Sequence, residues 1–242
     1  MRKLVRFARH SVNVAKGVDL FVIPEVKVDH VVLGTVYGGW PVIPEFTSKD
    51  SVVYSFGVGE DASFDLELIR RFQCKVHAFD PTPKSMQWVA AQAMPPEFLF
   101  SPIGIGAENG ELLLYPPADP NHVSYTVKKN DQSKGVPTRA QVCDLPTIME
   151  RLGHRDIDIL KMDVEGTEYD VIKKFAQQPM RPSQLMIEFH HGMYGYRSAE
   201  TKTALAELKR IGYQIYYVSP GRHEFAFVRF PTAAPSVLSR AA

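Results

Sequence analysis

Cysteine is scarce in this chain, and its scarcity excludes two kinds of small scaffold. Only Cys74 and Cys143 occur among the 242 residues, far apart and outside any Cys-x-x-Cys pattern. A disulfide framework or a zinc site of paired thiolates needs more cysteines at closer spacing. We therefore expect a reducing compartment, and specifically a cytoplasmic location.

The chain also lacks an excess of either charge and any long apolar run. Its 28 basic and 27 acidic residues leave a formal net charge of +1, which gives no field to attract nucleic acid. Leu20 to Ile23 is too short to cross a bilayer, so no transmembrane segment is expected. The basic stretch from Met1 to Asn13 leaves a weak amphipathic membrane contact as an alternative. No pattern predicts an oligomeric state.

What the sequence does contain is a glycine motif between two apolar runs. The apolar run that begins at Val52 ends in the motif Gly57-Val58-Gly59. A helical pattern follows, and the next apolar run ends in Asp80. This order is typical of the first half of a nucleotide-binding α/β fold, in which Asp80 would accept hydrogen bonds from ribose hydroxyls. Glu60 and Asp61 place carboxylates where a dinucleotide would need its pyrophosphate. S-adenosylmethionine, which has no phosphate and a cationic end, suits this loop better.

From residue 51 onward, strand and helix patterns alternate regularly. They predict a doubly wound, mostly parallel α/β sheet that ends in an antiparallel pair over 213–218 and 224–230. The predicted organisation is an entry segment over 1–50, a ligand-binding domain over 51–231 and a flexible tail over 232–242. Smaller features are a short strand around Val26 to Val31, a tight hairpin at Asn109-Gly110 and a long loop over 116–137.

Ionisable residues follow two of the predicted strands. Asp163 ends the apolar run from Ile157 to Met162, and Glu188 and His190 end the run that begins at Gln184. The carboxyl ends of parallel strands meet at one edge of a sheet, so these three are the predicted catalytic residues, with His190 as the preferred base. An alternative use of the same three side chains is to bind Mg²⁺ or another divalent cation.

Aromatic and polar residues near this edge are predicted to contact the substrate. The main candidates are Tyr37, Trp40, His122, Glu165 and His191, and further aromatic residues in suitable segments are Tyr125, Tyr194 and Tyr196. Aromatic rings with polar tips suit sugar rings among other ligands. Glu165 has an alternative role as a favourable charge in the first turn of the following helix.

Several of these segments together resemble the FkbM-type methyltransferases. The order of Val53 to Gly59, Phe79-Asp80-Pro81, Lys161-Met162-Asp163-Val164-Glu165-Gly166 and Glu188 to His190 carries the likeness. The resemblance implies a class I Rossmann-like fold, S-adenosylmethionine as cofactor, and methyl transfer to a hydroxyl of a sugar, glycan or secondary metabolite. The cofactor-binding residues expected are Phe56, Gly57, Gly59, Glu60, Asp61, Asp80, Pro81 and Thr82. One departure is Gly59-Glu60-Asp61-Ala62, where many relatives have Gly-Ala-Asn-x-Gly.

Two other functions stay open at this stage. Gly57, Gly59 and Ala62 also satisfy the looser Gly-x-Gly-x-x-Gly/Ala pattern, which makes a nicotinamide-dependent oxidoreductase the first alternative. The second alternative is a module that binds a ligand or partner without catalysis, with the loop over 116–137 as its docking segment.

Overall fold

The computed structural model describes residues 10, 12–119, 123–129 and 133–230. Its elements are, in chain order, β1 (Val31–Leu33), β2 (Trp40–Val42), β3 (Val53–Phe56), α1 (Ser63–Phe72), β4 (Val76–Phe79), α2 (Pro83–Ala90), β5 (Phe98–Ser101), β6 (Gly104–Ile105), β7 (Gly110–Leu114), β8 (Thr138–Cys143), α3 (Leu145–Leu152), β9 (Ile159–Met162), α4 (Glu168–Phe175), β10 (Gln184–Glu188), α5 (Ser198–Arg210), β11 (Gln214–Val218) and β12 (Glu224–Val228). Among these described residues, no helix combines the length and apolar character that a bilayer span requires.

A seven-stranded sheet organises the molecule, in the order β11-β12-β10-β9-β3-β4-β5. The pairs β3–β4, β3–β9, β4–β5 and β9–β10 are parallel, whereas β12 runs antiparallel to both β10 and β11. The order reverses at β3, where β4 lies on one side and β9 on the other. Such a reversal opens a crevice at the carboxyl ends of the strands. The prediction of a doubly wound, mostly parallel sheet with a terminal antiparallel pair is confirmed.

Apolar side chains cover both faces of this sheet, because consecutive strand residues point to opposite sides. On one face, Tyr54 and Leu160 pack with Ile148 from α3 and Val171 from α4. On the other face, Val53 and Ile159 are in the apolar cluster that contains Leu68 from α1. The apolar strand patterns that predicted the sheet therefore reflect burial on two sides.

Residues before the sheet pack against its second face. β1 and β2 form an antiparallel pair, and Leu33 and Trp40 belong to the same apolar cluster as Leu68. Gln184 of β10 accepts a hydrogen bond from the Ile43 backbone N–H at 2.7 Å, and Tyr216 Oη donates to the Pro41 carbonyl at 2.9 Å. The described part of the entry segment thus shares a core with the main sheet, while the tail over 232–242 lies outside the described residues.

The structure corrects three local predictions. Asn109-Gly110 does not join two paired strands, because β6 and β7 both pair with β8, in the order β6-β8-β7. β8 was missed and lies at the end of the predicted loop, although Ala140 and Val142 are buried and Arg139 and Gln141 are exposed, as strand alternation requires. The first strand begins at Val31, and residues 26–30 are outside it.

Candidate functional site

A cavity of about 410 Å³ lies at the carboxyl ends of β3, β4, β9 and β10. Its size falls in the range of small-molecule sites. All predicted cofactor residues line it: Phe56, Gly57, Gly59, Glu60, Asp61, Asp80, Pro81 and Thr82. The same wall includes the predicted catalytic and substrate residues Asp163, Glu188, His190, Glu165, Tyr37 and Trp40. The fold therefore brings distant segments of the chain to one edge, as the sequence predicted.

The Asp80 carboxylate holds the glycine loop, residues 57–59, by hydrogen bonds. Its Oδ2 accepts hydrogen bonds from the N–H groups of Val58 (3.0 Å) and Gly59 (2.9 Å). Its Oδ1 accepts from the Thr82 N–H at 2.9 Å and the Thr82 hydroxyl at 2.7 Å. Each carboxylate oxygen has about two good acceptor positions, so the chain itself occupies those of Asp80. The carboxylate of Asp80 holds the loop in this structure, and its predicted hydrogen bonds to ribose hydroxyls stay a prediction.

The entry segment closes against the start of α1. The Thr35 hydroxyl donates to Asp61 Oδ2 at 2.7 Å, and the Ser63 N–H donates to Asp61 Oδ1 at 2.8 Å. Asp61 thereby ties the turn over residues 34–40 to the glycine loop. Two aromatic residues of this turn line the cavity. Tyr37 is 83% exposed, whereas Trp40 is only 4% exposed.

Asp163 and Glu188 form a pair of hydrogen-bonded carboxyl groups. Burial, aided by the neighbouring Asp163 charge, raises the pKa of Glu188 to about 10. Burial also raises the pKa of Asp163, against the nearby positive charge of Lys161. Two buried carboxyl groups in contact cannot both ionise cheaply. The hydrogen bond between them raises the pKa of Glu188 and opposes the rise for Asp163, so a shared proton favours Glu188.

His190 is held between two further carboxylates. Its Nε2 lies 3.1 Å from Glu165 Oε2, and its Nδ1 lies 3.1 Å from Glu168 Oε1, with His190 and Glu168 both fully buried. Burial alone would lower the pKa of His190, but the hydrogen bonds to Glu165 and Glu168 raise it well above its ordinary value. These two carboxylates therefore favour the imidazolium form of His190. The raised pKa disfavours the neutral imidazole that a general base needs, and the role of His190 as the base stays a prediction.

Strained backbone accompanies the Glu165 side chain. Glu165 has φ of +50° and Tyr194 has φ of +52°, both in the left-handed region that side chains other than glycine rarely adopt. The Tyr194 hydroxyl donates to Glu165 Oε2 at 2.7 Å. Burial alone would raise the pKa of Glu165, but the hydrogen bonds from His190 and Tyr194 bring it below its usual value. Strain of this kind is concentrated at functional sites in proteins.

The three side chains that come closest to forming a cation site differ from those predicted. Ligand atoms of Asp163, Glu165 and His190 lie within 4.8 Å of one another, so Glu165 replaces Glu188 in the group. His190 would first have to lose its proton and its hydrogen bond to Glu165, and Mg²⁺ prefers oxygen ligands. The residues as arranged do not fit a resident cation.

Of the substrate candidates, His191 does not join the cavity. His191 follows His190 and points away from the cavity, where its ring stacks on His223 at 4.6 Å and its Nε2 lies 3.5 Å from Asp19. Adjacent residues at a strand end face opposite sides, which accounts for the difference from His190. His122 lies outside the described residues. Of the three further aromatic residues, Tyr125 and Tyr194 line the cavity, and the Tyr196 hydroxyl donates to the Gly166 carbonyl at 2.6 Å.

Three residues of the site were not predicted. Lys161 is buried beside the cavity, and its ammonium donates a hydrogen bond to the Gly57 carbonyl. Asp65 of α1 is also buried in the cavity wall, and Glu168 holds His190 from behind. Lys161 carried a signal in the sequence, because it is a charged residue inside an otherwise apolar strand.

Removing the carboxylate of Glu168 tests the charged state of His190. Glu168 Oε2 accepts from the Gly166 N–H, and Oε1 accepts from His190, whereas a glutamine has a single acceptor oxygen. Glu168→Gln is expected to lower the free energy of unfolding by about 2 kcal/mol near neutral pH. NMR titration of His190 should show a lower pKa in the variant.

The same pair predicts a pH dependence. The pKa of His190 is raised on folding, so its stabilising contribution is complete below its unfolded pKa of about 6.5 and is lost as pH rises through the folded pKa. Urea unfolding should show this loss at lower pH in Glu168→Gln than in the wild type. Asp170→Asn, an exposed change on the same helix, is the control. Identical pH curves for wild type and Glu168→Gln would contradict a charged His190.

A family model and a curated protein resemble this chain in sequence. The family model described as "Methyltransferase FkbM domain" matches residues 51–215. The human "Probable methyltransferase-like protein 24" is 24% identical over 149 residues, which are 60% of this chain and 34% of that protein. The chain thus spans about a third of the length of this curated relative.

Solved structures with similar folds share little sequence with the chain. The methyltransferase FkbM of Methylobacillus flagellatus is 14% identical, with 75% of this chain and 44% of that one covered and a TM-score of 0.46. Fibrillarin from Aeropyrum pernix, solved with natively bound S-adenosyl-L-methionine, is 12% identical, with 76% and 66% covered and a TM-score of 0.40. The family model covers more than half of the residues, and the chain therefore belongs to the FkbM methyltransferase family.

Proposed function

We propose that this chain transfers a methyl group from S-adenosylmethionine to a hydroxyl oxygen of a small-molecule or glycan acceptor, such as a sugar or a secondary metabolite. The observation that carries the proposal is the cavity in which the Gly57 to Gly59 loop adjoins the carboxyl groups of Asp163, Glu165 and Glu188. This cavity lies within the segment that matches the FkbM methyltransferase domain.

The donor half of the cavity is the side formed by the glycine loop. Gly57 and Gly59 present backbone without side chains, and the Phe56 and Phe79 rings stack at 4.5 Å beside them. This surface suits the flat, uncharged adenosine. Glu60 and Asp61 at the same edge disfavour a pyrophosphate. Family membership and these charges together favour methyl transfer over a nicotinamide-dependent oxidoreductase.

The acceptor half contains the groups that handle the proton. S-adenosylmethionine supplies an activated methyl group on a sulfonium when bound. Asp163, the member of the carboxyl pair on which the shared proton is less favoured and whose pKa burial raises, is the proposed base for the acceptor hydroxyl. Asp163 would take the hydroxyl proton of the acceptor as the bound donor supplies its methyl group to the acceptor oxygen and leaves as S-adenosylhomocysteine. Glu188 donates its hydrogen bond to Asp163 and orients it, and His190 keeps Glu165 in place.

Calorimetric titration with S-adenosylmethionine, S-adenosylhomocysteine and NADH tests the donor site. We expect micromolar binding of the first two and none of NADH. Asp80→Ala should abolish that binding, because it removes the two hydrogen bonds that hold the N–H groups of Val58 and Gly59. Binding of NADH alone would establish the oxidoreductase alternative, and binding of no ligand would favour the non-catalytic module. Undiminished turnover in the presence of a chelator is expected as well.

A further inference from the structure

One buried charge in the cavity has no role in the proposed chemistry. Asp65 of α1 is 3% exposed and lines the cavity, and its Oδ1 makes no hydrogen bond of good geometry within the described part of the chain, although the Ser55 hydroxyl lies near the carboxylate. Leaving a charged acceptor unsatisfied in the protein interior costs more free energy than leaving a neutral one. Buried polar atoms without partners are few in native proteins. The oxygen therefore indicates a ligand group that donates a hydrogen bond to it.

A positive group lies beside this carboxylate. Lys161 is 5% exposed, lines the same cavity and acts electrostatically on Asp65. Its ammonium donates to the Gly57 carbonyl and lies 5.6 Å from the centre of the Trp40 ring. An ammonium has three donor hydrogens, so this contact leaves it capacity for more. A carboxylate and an ammonium in the wall of one cavity complement the ammonium and carboxylate of an α-amino acid.

The other acids of this edge are less suited to that ligand. Both carboxylate oxygens of Asp61 already accept hydrogen bonds, from Ser63 and from Thr35. Glu60 is exposed to solvent, where an ion pair contributes little. Asp65 combines burial, a position in the cavity wall and an oxygen without a hydrogen bond of good geometry.

We propose that Asp65 receives the α-ammonium group of the methionine part of the donor, with Lys161 beside it for the α-carboxylate. The inference rests on the proposed function and deepens it by assigning the amino-acid end of the donor to a buried pair. The sequence matched the cationic end of the donor to Glu60 and Asp61, and this inference assigns the amino-acid end to Asp65 and Lys161 instead.

Two ligands that differ only at the α-amine test this assignment by calorimetry. They are S-adenosylhomocysteine and its deaminated analogue, in which hydrogen replaces the amine. The wild type should bind S-adenosylhomocysteine roughly 10- to 100-fold more tightly than the analogue, the range for a hydrogen bond to a charged group. In Asp65→Asn that preference should shrink to less than about threefold, while affinity for the analogue stays within about threefold of the wild type.

Asp50→Asn makes the same chemical change at an exposed position outside the cavity and should keep the full preference. Asp65→Ser is the second variant should Asp65→Asn fail to fold, and circular dichroism checks both. Equal binding of the two ligands by the wild type would overturn this assignment and leave the donor site intact. An unchanged preference in the Asp65 variants would also overturn it. A wild type that binds neither ligand would overturn this inference and the proposed function together.

Discussion

Replacing Gly57 with alanine is expected to lower the free energy of unfolding by about 3 kcal/mol and to abolish binding of S-adenosylhomocysteine. Gly57 has φ of +87°, and a Cβ built on it would lie 1.9 Å from the Asp163 carbonyl oxygen. That oxygen belongs to the backbone at the end of β9 and cannot rotate away. The clash can be removed only if the ends of β3 and β9 separate. That separation would also displace Asp163 and break the hydrogen bond from Lys161 to the Gly57 carbonyl.

Gly59→Ala is the matched control for this prediction. Gly59 also has a positive φ of +57°, but the nearest atom to a Cβ there is a Val123 methyl group at 3.5 Å. Only the conformational cost of about 1–2 kcal/mol applies at this position. Urea unfolding and calorimetry of the two variants separate steric conflict from backbone preference. Equal losses in the two variants would mean that the contact with Asp163 does not govern the site.

The sequence predicted the central sheet well because its strands are buried on both faces. Val53 to Phe56 and Ile159 to Met162 are apolar runs bounded by clear breaks, and such runs are recognisable without tertiary information. The three-stranded sheet β6-β8-β7 was harder to predict from the sequence. Asn109-Gly110 has the local composition of a hairpin turn, but the partner of β7 is β8, which follows a long connection. Local turn chemistry does not reveal a pairing that the rest of the fold decides.

The sequence predicted where the site residues converge better than it predicted their protonation. Asp163, Glu188 and His190 were assigned to one edge because strand ends converge there, and they do line one cavity. Their pKa values depend on burial and on neighbours from other segments: Glu165 and Glu168 raise the pKa of His190, and burial together with Asp163 raises that of Glu188. Asp65 was part of a helical pattern, and only the packing of α1 against the sheet shows that it is buried without a full set of partners.

Asp163→Asn is expected to reduce kcat by about 10²- to 10⁴-fold, the usual contribution of a positioned general base. The amide has nearly the shape of the carboxylate and lines the same cavity, but it does not take a proton from the acceptor. Affinity for S-adenosylhomocysteine should change less than about threefold, because the proposed donor contacts lie at the glycine loop and at Asp65. Asp156→Asn, an exposed change shortly before the same strand, is the control and should retain full activity.

The measurement is release of S-adenosylhomocysteine in the presence of the acceptor that a screen of sugars and hydroxylated metabolites with radiolabelled S-adenosylmethionine identifies. Because burial raises the pKa of Asp163, the wild-type rate should fall on the acid side at a pH above the ordinary range of aspartate. The residual rate of Asp163→Asn should lack that limb. A variant that keeps wild-type kcat together with the acid limb would assign the proton to another group, and Glu165 would then be the next carboxylate to replace, since it is ionised and lines the same cavity.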